Sequence, residues 1–434
     1  MRLTLLDPGH FHAALLQKTM YPDVDATVHV YAEDGPDLRD YLQKIESYNA
    51  RAENPTSWRM QIHAGADFLE RFSADKAGDV AVIAGNNRRK TEFLTRAVAA
   101  GMNVLADKPM AIDARGFDAL RKAFALAEAN GVLLYDIMTE RHEITTILQK
   151  VFSRIPSVFG ELLQGTQEDP AVTKESVHHF SKQVSGAPIK RPAWFFDVAQ
   201  QGEGLVDITT HLVDLVQWEC FPGEILDFTR DIHVLAARRW PTAISAAQFA
   251  KVTQLPGYPD YLRRDVAPDG SLHTYANGEI DYRIKGVHAK VSVLWNFEAP
   301  EGAGDTHFSV MRGSKSSLVI RQGAAEGYQP VLSIEPVAGA DAADFAATLE
   351  QALRDVRNAY PGVDVKRIGE AWQVVVPARW HVGHEAHFGQ VVSQFLACVE
   401  MGALPAWEVP NMIAKYYTTT RALEIARNES APAI

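Results

Sequence analysis

The first 140 residues alternate short apolar runs with helical segments, and that alternation admits few folds. Residues 2–6 (RLTLL), 27–32 (TVHVYA), 79–85 (DVAVIAG), 103–106 (NVLA) and 132–136 (VLLYD) have the length and apolar character of buried strands. Helical patterns follow the first, third and fourth of them, from about His12 to Met20, over 91–101 (TEFLTRAVAAG) and from Ala114 to Asn130. Strands that alternate with helices of 10–17 residues build βαβ units and a parallel sheet. Ligands of such sheets lie at the carboxyl ends of the strands. Here those ends are Asp7–Phe11, Glu33–Asp34, Asn86–Asn87, Asp107–Pro109 and Asp136.

Near residue 140 the pattern changes. Residues 280–298, 306–321 and 330–336 alternate apolar and polar positions at period 2, as antiparallel strands with one solvated face do. Helical segments at 204–219 and 386–401 punctuate them, and 338–365 reads as a helical insertion. The expected architecture is an α/β domain at 1–140 and an α+β domain at 141–434 with a large, mainly antiparallel open sheet. No linker rich in Ser or Gly separates the two, so they should pack closely.

Composition narrows the function. The chain has 434 residues, a formal net charge of -11 and two cysteines, Cys220 and Cys398. The acidic balance argues against a general nucleic-acid or anionic-membrane binder. The cysteines form no CxxC pair, so neither a disulfide framework nor a thiolate zinc site is expected. No window reaches the roughly 18 apolar residues of a membrane span, and the first apolar run stops at Asp7, short of a signal-peptide core. A cytoplasmic protein is expected.

The first strand-to-helix turn reads Asp7-Pro8-Gly9-His10-Phe11-His12-Ala13-Ala14. A dinucleotide pyrophosphate lies on such a turn, normally over GxGxxG. Only Gly9 is a glycine here, so the segment is either a modified cofactor turn or an ordinary one; His10 or His12 could donate to phosphate. After the second strand come Glu33 and Asp34. An acid there binds a ribose 2′-hydroxyl and repels a 2′-phosphate, which favours NAD over NADP; a solvated acidic turn is the alternative.

Two motifs are more specific. In 104–110 (VLADKPM), Pro109 restricts Lys108 to extended backbone at a strand end. In 202–218 (GEGLVDITTHLVDLVQW), helical spacing places Asp207, His211, Asp214 and Trp218 on one stripe, behind a turn that Gly202 and Gly204 allow to be tight. Together they resemble the glucose–fructose oxidoreductase/inositol dehydrogenase (Gfo/Idh/MocA) family of NAD(P)-dependent oxidoreductases. The usual Glu-Lys-Pro is Asp107-Lys108-Pro109 here. The resemblance implies a Rossmann domain followed by an open-sheet domain, a C-terminal helix returning toward the former, and a homodimer or homotetramer. It also implies that Asn86 and Asn87 approach the nicotinamide ribose.

The implied activity is hydride transfer between nicotinamide and a secondary hydroxyl of a sugar, polyol or glycoside. Histidine suits the proton transfer, so His211 is the expected base. Lys108 would stabilise alkoxide character on the reacting oxygen, and Asp207 would orient substrate or imidazole. Substrate contacts are expected from Glu140 and Arg141, from Lys190, Arg191, Trp194 and Asp197 in 190–197 (KRPAWFFD), and from His384 and His387. The run His381, His384, His387 could instead be structural or ligate a metal; no metal is assigned. A redox-neutral glycosidase built on transient oxidation is the alternative enzyme. A non-catalytic dinucleotide sensor would need neither Lys108 nor His211.

Overall fold

The structure is a computed structural model that describes residues 1–184 and 187–429. Six strands form the first sheet: β1 (Leu3–Leu6), β2 (Thr27–Ala32), β3 (Arg59–Ala64), β4 (Val80–Ile83), β5 (Asn103–Ala106) and β6 (Leu134–Asp136). All pair in parallel, in the order β3-β2-β1-β4-β5-β6. The chain leaves β1 for β2 on one side and reaches β4 on the other. That reversal opens a crevice at the carboxyl ends of β1 and β4. The connecting helices are α1 (His12–Leu15), α2 (Pro36–Ala50), α3 (Phe68–Asp75), α4 (Lys90–Ala99) and α5 (Ala114–Asn130).

Three local features differ from the sequence expectation. The helix expected to Met20 stops at Leu15. Side-chain donors take the carbonyls a longer helix would use: Tyr21 donates to Leu16 O, Trp58 to Gln17 O and Arg51 to Lys18 O. Strand β3 escaped the pattern search because it is an edge strand whose Ile62 is half exposed. Helix α2 begins directly after the acidic pair, with Pro36 at its first turn, a position where proline's missing N–H costs nothing.

The second sheet has nine strands: β7 (Val172–Ser181), β8 (Ile232–Ile244), β9 (Leu272–Ile284), β10 (Val287–Glu298), β11 (Thr306–Arg312), β12 (Ser316–Gln322), β13 (Val331–Pro336), β14 (Asp364–Ile368) and β15 (Ala371–Val375). Their order is β8-β9-β10-β7-β11-β12-β13-β15-β14, antiparallel except where β10 meets β7. The alternation read across 280–298 is a hairpin. Lys285 and Gly286 both have positive φ, as a two-residue type I′ turn needs, so the alternating pattern runs through both arms.

Helices α6 (Ile144–Ser153), α7 (Thr209–Cys220), α8 (Ala246–Thr253), α9 (Ala342–Ala359), α10 (His384–Met401) and α11 (Glu408–Glu429) complete the fold. Leu212, Val213 and Val216 of α7, Phe345, Leu349 and Leu353 of α9, and Ala422 and Leu423 of α11 share one core with the second sheet. Helix α10 serves the other sheet. Phe388, Val391, Val392 and Phe395 of α10, with Tyr416 of α11, belong to the core of the parallel sheet. A third, aromatic core of Phe180, Trp194, Phe195, Phe196, Phe249 and Trp295 lies between the two sheets. Among the described residues, no helix is long and apolar enough to cross a membrane.

Candidate active site

The turn after β1 departs from three glycines but keeps their spacing. Asp7, Gly9 and His12 stand where GxGxxG has its glycines. Asp7 adopts φ +52°, the left-handed conformation the first glycine normally supplies; aspartate tolerates it better than most residues. Gly85, at the end of β4, touches this turn. A Cβ there would lie 2.0 Å from Asp7 O, so the two loops meet backbone to backbone. Burial raises the Asp7 carboxyl to about 6, with Asp37 and Glu33 adding to the shift. Glu33 and Asp34 are exposed beyond β2, and Asp34 pairs with Arg39 at 2.8 Å.

Strand β5 delivers Asp107-Lys108-Pro109, all buried, with a cis Lys108–Pro109 bond. The Asp107 backbone is held twice. Its N–H donates to Ile83 O at 2.7 Å, and its carbonyl accepts from the fully buried Lys90 Nζ at 2.8 Å. Burial pushes the Lys90 ammonium down to about 8. The Asp107 carboxylate faces the first turn, with His12 Nδ1 at 3.0 Å and His10 Nδ1 at 3.2 Å from the same oxygen, Oδ2. Burial lowers His12 to about 3, so its imidazole is neutral.

The next residue reaches the other domain. Lys108 Nζ donates to Asp207 Oδ1 at 2.5 Å, and the two side chains are 6% and 7% exposed. Burial alone would raise the Asp207 carboxyl; the Lys108 ammonium and hydrogen bonds from Lys108 and Gln201 hold it below its ordinary value. Asp207 belongs to the tight turn that leads into α7, and His211 stands one turn on, in the first turn of the helix. Burial, and then Lys108, hold the His211 imidazole well below its ordinary pKa, so it is a neutral proton acceptor. Its Nδ1 is buried and has no hydrogen-bond partner; Gln201 Oε1 and Asn87 Oδ1, on residues joined by the Asn87 Nδ2–Gln201 O hydrogen bond, are open too. Buried polar atoms left open at one place are what a site awaiting a polar ligand presents.

Glycines set the tight turn. Gly202 has φ +97°, and a Cβ on Gly204 would lie 2.0 Å from Ala276 O in β9. The turn is also tied to the crevice. Asn86 donates to Gln200 Oε1 and Asn87 Nδ2 to Gln201 O, both at 2.7 Å. The loop after β4 and the segment carrying Asp207 therefore move together.

A further polar group was not anticipated from sequence. His179 Nδ1 lies 2.8 Å and Lys182 Nζ 2.6 Å from Asp305, with His178 Nδ1 at 3.5 Å. His178, Lys182 and Lys108 all act on Glu140, whose carboxyl is nonetheless raised by burial. Glu140 also lies 3.4 Å from His384 Nδ1. Only the paired histidines of β7 could have flagged this group, and two histidines in an alternating strand carry no distinctive spacing.

Several expected substrate contacts are engaged elsewhere. Arg141 is buried and its guanidinium is consumed: Nε and one terminal nitrogen donate to Asp214 at 2.7 Å each, and the other donates to Glu408 at 2.9 Å. Asp214 also accepts from Lys415 at 2.8 Å, which takes it out of the expected stripe. Trp218 is covered by Lys150, 3.5 Å above its ring. Arg191 donates to the Phe180 and His179 carbonyls and stacks on Phe195 and Trp295, so it is part of the aromatic core. Trp194 turns to the first turn instead, donating to Asp37 at 2.7 Å beside Gly9. Asp197 is saturated by Ala199 N, Gln200 and Arg264. Lys190 is exposed. His387 is buried, its ring 6.1 Å from and perpendicular to that of the exposed His384. Phe11 stacks edge-on against His12.

A six-stranded parallel sheet with a switch-point crevice, facing an open sheet that delivers Asp207 and His211 to Lys108, defines an oxidoreductase of Rossmann-plus-open-sheet construction. Residues 148–427 match the family model described as "Putative oxidoreductase C terminal domain". The chain belongs to that family, and its fold is shared with solved oxidoreductase structures. It is similar to an oxidoreductase of Parabacteroides merdae ATCC 43184, with 53% identity over 99% of this chain and 98% of that one and a TM-score of 0.97. The fold is also that of levoglucosan dehydrogenase in complex with NADH and levoglucosan (13% identity, 99% and 98% covered, TM-score 0.64). The 3-ketoreductase KijD10 of Actinomadura kijaniata, bound to NADP, shares it too (15%, 98% and 97%, 0.57). None of the curated proteins matches the chain.

Proposed function

We propose that this protein is an NAD-dependent dehydrogenase acting on a secondary hydroxyl of a sugar, polyol or glycoside. The observation that carries the reading is the contact between Lys108 and Asp207, with a neutral His211 one turn further on, in α7, whose Nδ1 is buried and open. The residues of the crevice fit a dinucleotide. The turn Asp7–His12 keeps the glycine spacing, Gly85 lets the two loops close, and Asn86 and Asn87 lie at the β4 end. Glu33 and Asp34 offer carboxylates to a ribose diol and repel a 2′-phosphate, which favours NAD over NADP. Bound nicotinamide would accept or return the hydride.

The chain's own residues manage the proton and the charge. Lys108 donates a hydrogen bond to the oxygen that develops alkoxide character. His211 takes the hydroxyl proton, and Asp207 fixes the Lys108 ammonium. Glu140, His178, Lys182 and His384 supply the several placed polar groups that polyol recognition needs. The levoglucosan complex of a relative with this fold supports the carbohydrate class.

The test is a screen of sugars and glycosides for reduced-nicotinamide absorbance, with His211→Ala in parallel. Net NADH formation that falls about 10²–10⁴-fold in the variant is expected of a lost acid/base group. Turnover unchanged by the substitution would remove His211 from the reaction. Aglycone release without net NADH would establish the redox-neutral glycosidase instead.

A further inference from the structure

His10 and His12 flank Phe11 in the first turn, and Asp107 faces them across the crevice from the end of β5. One nitrogen of each imidazole and one carboxylate oxygen lie within 4.8 Å of one another. Both Nδ1 atoms approach the same oxygen, at 3.2 and 3.0 Å. The side chains of His10, His12 and Asp107 are 10%, 11% and 4% exposed. The two imidazoles are not equivalent: His12 Nδ1 hydrogen-bonds Asp107 at 3.0 Å, whereas His10 Nδ1, buried 3.2 Å from the same oxygen, forms no aligned hydrogen bond. We propose that His10, His12 and Asp107 bind one divalent transition-metal ion.

Two imidazoles and a carboxylate suit zinc, cobalt, iron or nickel rather than magnesium or calcium. Zinc bonds of about 2.0–2.1 Å at tetrahedral angles put ligand atoms about 3.3 Å apart, close to the two histidine-to-carboxylate distances of 3.2 and 3.0 Å. Three protein ligands leave a fourth position open, the arrangement of reactive rather than purely structural zinc sites. Ligand orientation is preset, because the Asp107 backbone is fixed by Ile83 O and Lys90. A bound ion would join the β1 turn to the loop that carries Lys108.

The experiment uses untagged full-length protein, stripped with chelator, dialysed, and titrated with Zn²⁺ or with Co²⁺ followed by its visible d–d absorption. One equivalent should bind. His10→Ala and His12→Ala should each weaken binding by more than the 10–100-fold that outer-sphere partners cost. His384→Ala, in the other histidine group, should leave it unchanged. Circular dichroism and melting of the apo variants show that they fold; His10→Gln gives a second, milder variant. Absence of a stoichiometric site, or binding untouched by the His10 and His12 variants, would overturn the proposal. NADH titration by fluorescence is read separately, so failure of the metal site leaves the dehydrogenase reading standing, and the converse.

Discussion

The contact between Lys108 and Asp207 joins the two sheets through a buried ion pair, and a double-mutant cycle can weigh it. At the observed 2.5 Å, with an effective dielectric near 20, Coulomb's law gives an attraction of about 6–7 kcal/mol. Much of this is offset by desolvation of both charges. Removing one partner is the costlier event, because it leaves the other charge buried and alone, typically about 3–5 kcal/mol. Lys108→Met and Asp207→Asn should each destabilise the protein by that amount in urea unfolding. The double variant buries no orphan charge and should cost clearly less than the sum, with a coupling of about 2 kcal/mol or more. Activity should be lost in all three. If the single effects add to within about 0.5 kcal/mol, the pair does not interact as described and Lys108 is free of Asp207 in solution.

Three other outcomes follow from the geometry. The Asp7 carboxyl, raised to about 6 from an unfolded value near 3.9, binds its proton more tightly in the folded state, so it costs stability progressively as pH rises from about 4 to 6 and fully above that. Asp7→Asn, which tolerates the positive φ, should therefore be more stable than the parent at pH 7.5 by up to about 3 kcal/mol. That advantage should vanish below pH 4; parallel stability curves from pH 4 to 8 would refute it. Gly204→Ala drives a Cβ into Ala276 O and should cost at least the roughly 1–3 kcal/mol of overpacking while displacing Asp207, read as a fall in kcat with the melting temperature. Asp214→Asn removes the carboxylate that Arg141 and Lys415 share, leaving them Glu408 and Asp136 respectively, and should cost up to about 3–5 kcal/mol, seen as faster amide exchange in α7 and α11; unchanged exchange there would count against it.

Much of the fold was legible because burial dictates pattern. Four-residue apolar strands such as VAVI and NVLA can only sit in a sheet covered on both faces, and Lys285-Gly286 sits inside an alternation that reads straight through it. Edge strand β3 was not legible, since half of its side chains answer to solvent. In the candidate site, Lys108, Asp207 and His211 stand out in the sequence through two local motifs, and the structure brings Lys108 and Asp207 into contact. Arg141 was misread because its two carboxylates come from residues 214 and 408, and no local spacing reveals that a cation is already paired. The same holds for Asp305, which draws His178, His179 and Lys182 together across a strand pairing. Asp7 was overlooked as a glycine substitute, since left-handed backbone leaves no trace in residue type beyond a mild preference for aspartate and asparagine.

The parallel-sheet half completes its core with residues far along the chain. Tyr416 of α11 donates to Asp136 of β6 across a sequence separation of 280 residues, and Phe388, Val391, Val392 and Phe395 cover the same sheet. At synthesis rates of about 5–20 residues per second, the parallel sheet waits roughly 14–56 s for that covering to leave the ribosome. During that interval the nascent first half carries exposed apolar strands. A chaperone that holds such surfaces should be found on ribosome-bound chains truncated before residue 384 and be absent from the full chain once it has left the ribosome.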